Sequence, residues 1–167
     1  MRHLLIAGLL VVALAGVPAA AQTSSAIVAG QSAGGIQVGG QVDEAVRLLG
    51  DLYDKADREK YSIYDWPLRP FLLIAEKDSG KVVFVLIQLS DAYRTDKGGL
   101  TGGSERAAVE AAYGSEFTTD EDSRSITLIY DSLGIAFDIG KFGVMRGRVM
   151  AIMVFVPGQW KQIVEGL

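Results

Sequence analysis

An unbroken apolar run from Leu4 to Val17 follows Met1-Arg2-His3 and ends at Pro18-Ala19-Ala20-Ala21. A basic start, an apolar run of about 14 residues and an Ala-x-Ala exit are the parts of a cleaved secretory signal. The run also falls short of the roughly 20 residues that a bilayer span requires. Residues 1–21 are therefore expected to be removed, leaving Gln22 first. Residues 22–35 are small, glycine-rich and without periodicity, which predicts a flexible leader, with Ile27-Val28 as the one stretch able to add an edge strand.

Beyond residue 35 the apolar pattern is written twice. Val42, Ala45, Val46 and Leu49 mark one face of a short helix that Gly50 would end, and the stretch from Gly103 to Gly114 has the same glycine spacing, with Ser104 placed as an N-cap. Ile63-Tyr64-Asp65 returns as Ile129-Tyr130-Asp131, Phe71 corresponds to Phe137, and the apolar run 82–89 corresponds to 148–155. Strands are predicted over 60–66, 70–76, 82–89, 124–131, 134–139 and 148–156, with turn residues between them.

The fold class expected is α+β: two tandem repeats, each a short helix followed by a three-stranded antiparallel meander. Unit 1 covers 36–90, a polar linker 91–101, unit 2 102–156, and 157–167 forms a tail or short helix. Units of about 60 residues have little core alone, which favours either one continuous six-stranded sheet with helices on one face and the other face open or two lobes joined by a tight interface.

Composition narrows the chemistry. The chain has 167 residues, no Cys and one His, and that His lies in the expected signal, so the mature chain would hold neither imidazole nor thiol. Ser-His-Asp and Cys-His nucleophile systems, His-ligated metals and disulfides are thereby excluded. With Arg2 removed the 16 basic residues become 15 against 20 acidic, a balance that argues against nucleic acid and against an anionic membrane surface. Gly98 to Ser104 lacks the Lys of a phosphate loop, Gly134 to Lys141 is followed by Phe142 where Ser or Thr is needed, and Asp120-Glu121-Asp122 lacks calcium-loop spacing. No cofactor and no metal is expected.

Two candidate surfaces remain. Tyr61, Tyr64, Trp66, Arg69 and Phe71 crowd one strand-turn-strand, and aromatic rings beside Arg are the residues that carry interface energy. Tyr64 and Trp66 share a parity, which suits them either to a partner or to a helix packed on that face. The alternative is a small-ligand binder or hydrolase in which the duplicated Asp65 and Asp131, with Tyr64 and Tyr130, meet in a cleft between the units. Asp at a strand end is equally a turn residue.

The pattern Gly-x-x-x-x-x-Ala/Val-x-x-x-x-Gly on a short helix, then a Tyr-bearing strand and an apolar closing strand, rests on Gly39, Gly50, Tyr64, Gly103, Gly114 and Tyr130. It resembles the helix-plus-meander unit of the SmpA/OmlA small envelope lipoproteins. Its duplication resembles the tandem architecture of the β-lactamase inhibitor protein. The resemblance implies an exported, non-enzymatic binding or assembly module. The expectation is a periplasmic or secreted protein that binds an envelope or secreted protein, without stable membrane insertion, and with an exposed edge strand able to pair with a second copy.

Overall fold

A computed structural model describes residues 24–167, so the expected signal segment lies outside the described residues. Among the described residues the chain forms three α-helices, α1 (Val42–Leu49), α2 (Arg106–Tyr113) and α3 (Trp160–Glu165), and twelve strands. Eight form one antiparallel sheet: β4 (Asp54–Asp57), β5 (Tyr61–Trp66), β6 (Phe71–Glu76), β7 (Val82–Gln88), β12 (Val149–Phe155), β11 (Ile135–Gly140), β10 (Ser125–Tyr130) and β9 (Thr118–Glu121), in that spatial order. A second, mixed sheet joins β3 (Ile36–Gln37), β2 (Ser32–Ala33), β1 (Ala26–Val28) and β8 (Arg94–Thr95).

This corrects the expected fold class of two three-stranded meanders in a six-stranded sheet. Two of the additional strands, β4 and β9, are wholly exposed edges whose sequences, Asp-Lys-Ala-Asp and Thr-Thr-Asp-Glu, carry no alternation; pairing to β5 and β10 makes them strands. The remaining four are the short strands of the second sheet. From Ser24 on, the expected leader is not loose: Ile27 and Ala33 are buried, and Ile27-Val28 does lie in a strand, β1, paired on both sides rather than at an edge. The expected linker supplies β8 and the buried Leu100.

The eight-stranded sheet is covered on one face and in part on the other. On one lie α1, α2 and the small sheet, packed over Trp66, Phe71, Leu73, Val85, Phe137 and Val154. On the other, Ile163 and Trp160 of α3 pack over Tyr61, Phe84 and Phe155. Helices on a single face were expected; α3 takes the opposite one.

The short helices α1 and α2 are held by hairpins rather than by side-chain caps. Val42 N donates to Gly80 O at 2.9 Å and Arg106 N to Gly147 O at 2.9 Å, while Gly39 N donates to Val82 O and Gly103 N to Val149 O. Ser104 does not cap α2: its Oγ accepts from Thr101 N, and Glu105 takes the N-cap position.

Candidate functional site

The first candidate surface is mostly interior. Trp66 is 1% exposed and its Nε1 donates to Gly50 O at 2.8 Å, with Tyr53 tilted over it at 5.1 Å. Tyr64 and Phe71 share that helix-side face, Phe71 against the edge of Tyr93 at 5.1 Å. Tyr61 has the opposite parity and belongs to the cluster under α3. Arg69 alone is exposed. The structure therefore brings the rings together as core and leaves one cation outside.

Asp65 and Asp131 are not brought together. Their strands, β5 and β10, stand five steps apart in the sheet, roughly 24 Å at about 4.8 Å per step. Antiparallel order puts Asp65 at one end of the sheet and Asp131 at the other. Asp131 has a structural task, its Oδ1 accepting from Trp160 N at 3.1 Å to satisfy the first turn of α3. The cleft expected between the units is replaced by the β7–β12 pairing, which joins them through five residue pairs.

Tyr130 is also structural, its hydroxyl donating to Gly114 O at 2.8 Å beneath Phe117. Neighbouring Tyr113 is enclosed, and its hydroxyl makes no hydrogen bond. Burial pushes Tyr113 up to about 12 while Thr95 pulls the other way; Tyr130 is raised too, first by burial and then by Glu110. A phenol raised in the fold binds its proton more tightly than the unfolded chain does, so its contribution is whole below about pH 10 and is lost as the pH climbs toward the folded value. Tyr113→Phe is expected to raise stability by about 1 kcal/mol at neutral pH and to flatten the alkaline loss, whereas Tyr130→Phe should lower stability by about 1 kcal/mol. Urea titrations at neutral pH and through the alkaline range check both signs.

The feature that sequence reading missed lies on the α3 side of the sheet, at the end α3 does not reach. There β7, β12, β11 and β10 floor a half-open groove of about 500 Å³ lined by Leu86, Met145, Met150 and Ala151, with Asp138, Arg124 and, at the rim, Asp122 as its charges. A bulge where Asp138 and Ile139 meet Ala151 and Val149 lets Met150 join Ala151 in the lining. Gly140 makes room beside it, since a Cβ there would meet Met145 O at 2.5 Å and Met150 Sδ at 2.9 Å.

Asp138 Oδ1 accepts from Thr127 Oγ1 at 3.3 Å. Neither Asp138 nor Arg124 makes an ion pair among the described residues. Asp122 at the rim is held below the usual carboxylate range by the backbone N–H groups of Arg124 and Ser125, which marks it as a turn residue. The available sequence signal was the placing of Met145, Met150 and Met153 within nine residues. Methionine is the side chain of adaptable contact surfaces.

No protein-family model and no curated protein matches this chain. Among solved structures it is similar to an extracellular protein containing an SCP domain from Bacillus anthracis str. Ames, with TM-score 0.50 and 8% identity over 73% of this chain and 45% of that one. It is also similar to a cysteine-rich secretory protein from Staphylococcus aureus subsp. aureus Mu50, with TM-score 0.49 and 10% identity over 84% of this chain and 50% of that one. The chain thus spans about half the length of the structures it matches. At 8% identity the Bacillus likeness is one of fold. It overturns the resemblance to SmpA/OmlA lipoproteins and to the β-lactamase inhibitor protein, whose glycines and tyrosines here serve helix ends and ring packing.

Proposed function

We propose that this chain is an exported, non-enzymatic binding module that meets its partner at the groove over β7, β12, β11 and β10. The observation that carries the reading is the groove's make-up: an apolar, methionine-bearing floor with two carboxylates, Asp122 and Asp138, and one guanidinium, Arg124, that make no ion pair among the described residues. Grooves of this size, mostly apolar with a few placed polar groups, are the usual form of a ligand site. Two further points favour binding over catalysis, namely the separation of Asp65 from Asp131 and the structural tasks of Asp131 and Tyr130. The Bacillus protein of similar fold is described as extracellular, which agrees with the secretory signal expected in residues 1–21 and favours a secreted or periplasmic location.

A photo-crosslinking residue placed at Leu89, on the groove rim, and separately at Val164 of α3 tests the site in cells that export the chain. A discrete adduct from position 89, absent from position 164 and lost when Ala151→Gln fills the floor, is the expected result. Equal adducts at both positions, or none at position 89, would refute a partner in the groove.

A further inference from the structure

Among the described residues, the large apolar side chains that are more than half exposed, Leu52, Leu68, Leu89, Phe142 and Val144, all lie in connections at one end of the eight-stranded sheet. The sharpest case is the β11–β12 connection, Lys141-Phe142-Gly143-Val144-Met145-Arg146-Gly147-Arg148, where Phe142 is 68% and Val144 89% exposed. The fold does not require this. Where β6 returns to β7, five residues, Lys77-Asp78-Ser79-Gly80-Lys81, close the hairpin with no apolar side chain, and Gly80 O there receives the α1 N–H just as Gly147 O receives that of α2. The β11–β12 connection is three residues longer, and it places its two large apolar side chains in water.

That loop is also braced by its own hydrogen bonds. Lys141 N donates to Arg124 O, Gly147 N to Gly140 O at 2.8 Å, Arg148 N to Met145 O at 2.9 Å and Arg146 N to Gly143 O at 3.2 Å, while Met145 turns inward onto the groove. Phe142 and Val144 therefore stand exposed on a braced tip. Its charge is of one sign: Lys141, Arg146 and Arg148 with no acid in the loop. Glu121 pairs Lys141 and Glu105 pairs Arg148, but Arg146 and adjacent Arg124 make no ion pair among the described residues.

We infer that residues 141–148 form a docking loop for an anionic lipid surface, Phe142 and Val144 entering the interface while Arg146 and Arg124 meet the headgroups. Two apolar side chains on an exposed tip suit a fluid, deformable partner, and the cationic flanks are complementary to its charge. The overall acid excess, which argues against such a surface, is a property of the whole chain and not of this loop. The inference shares Arg124 with the groove reading but otherwise rests on Phe142, Val144 and Arg146, none of which lines the groove, and on a different partner.

The test is co-sedimentation of the exported form with vesicles of phosphatidylglycerol and phosphatidylethanolamine in a 1:3 ratio. Partitioning is expected to fall at least tenfold for Phe142→Ser with Val144→Ser and several-fold for Arg146→Glu with Arg124→Glu, and to be unchanged for Val164→Ser at the opposite end. Near-ultraviolet circular dichroism confirms that each variant is folded. Failure of the native chain to sediment with these vesicles, or equal sedimentation by the Phe142/Val144 variant, would overturn the inference.

Discussion

Trp66→Ala is expected to destabilise the fold by about 4 kcal/mol, the cost of emptying a buried aromatic site. The ring is 1% exposed, shares a cluster with Tyr53 and Tyr64, and ties the end of α1 to the sheet through its bond to Gly50 O. Against a total stability of about 5–15 kcal/mol, such a loss would lower the melting temperature by on the order of 10 °C in a domain of this size. Trp66→Phe keeps a ring but leaves Gly50 O without its donor, and about 2 kcal/mol is expected there. Urea denaturation of the three proteins checks the order. A Trp66→Ala chain of native stability that had lost a partner would instead make the ring a contact residue.

That result would explain why the aromatic strand misled. Parity placed Tyr64 and Trp66 on one face, and the structure agrees; parity cannot say whether a helix or a partner covers that face. Here α1 and the residues after it do, with Tyr53 over both rings. Asp65 and Asp131 misled for a different reason. Their likeness in sequence carried no information on distance, and the joining of β7 to β12 sets them at opposite ends of the sheet. The groove was invisible because it is assembled from four strands that are not all neighbours in sequence, with a bulge re-aiming Met150.

Elements with apolar alternation were the legible part of the fold: β5, β6, β7, β10, β11 and β12 fall within about two residues of the spans their patterns predict. Elements without it were not. β4 and β9 are charged and wholly exposed, so their strand character exists only through a partner. Their shortness and charge also work against edge pairing with a second copy. Most of the expected leader from residue 24 to 35 was misjudged because strands of two or three residues are too short to show a period, although Ile27 and Ala33 are wholly buried.

Gly134→Ala should cost about 4 kcal/mol, from two sources that a second variant separates. Its φ of 69° lies in the left-handed region, where a side chain costs about 1 kcal/mol or more. A Cβ would also stand 2.4 Å from Phe155 O and 2.8 Å from Gly30 Cα, both backbone atoms that no rotamer change can move. Relief would require shifting the end of β12 or the β1–β2 hairpin, and both are bonded to the same carbonyl: Phe155 N at 3.0 Å and Gly30 N at 3.1 Å donate to Gly134 O. Overpacking against fixed backbone adds about 3 kcal/mol. Gly158 has a φ of 79° and open space around it, so Gly158→Ala carries the backbone cost alone, about 1 kcal/mol. Thermal unfolding of the two variants, with amide exchange at Gly30 and Phe155, should show a large difference and faster exchange at both amides only in Gly134→Ala. Equal losses would mean that the β1–β2 hairpin yields freely, and the small sheet would then be a loosely held cover rather than part of the core.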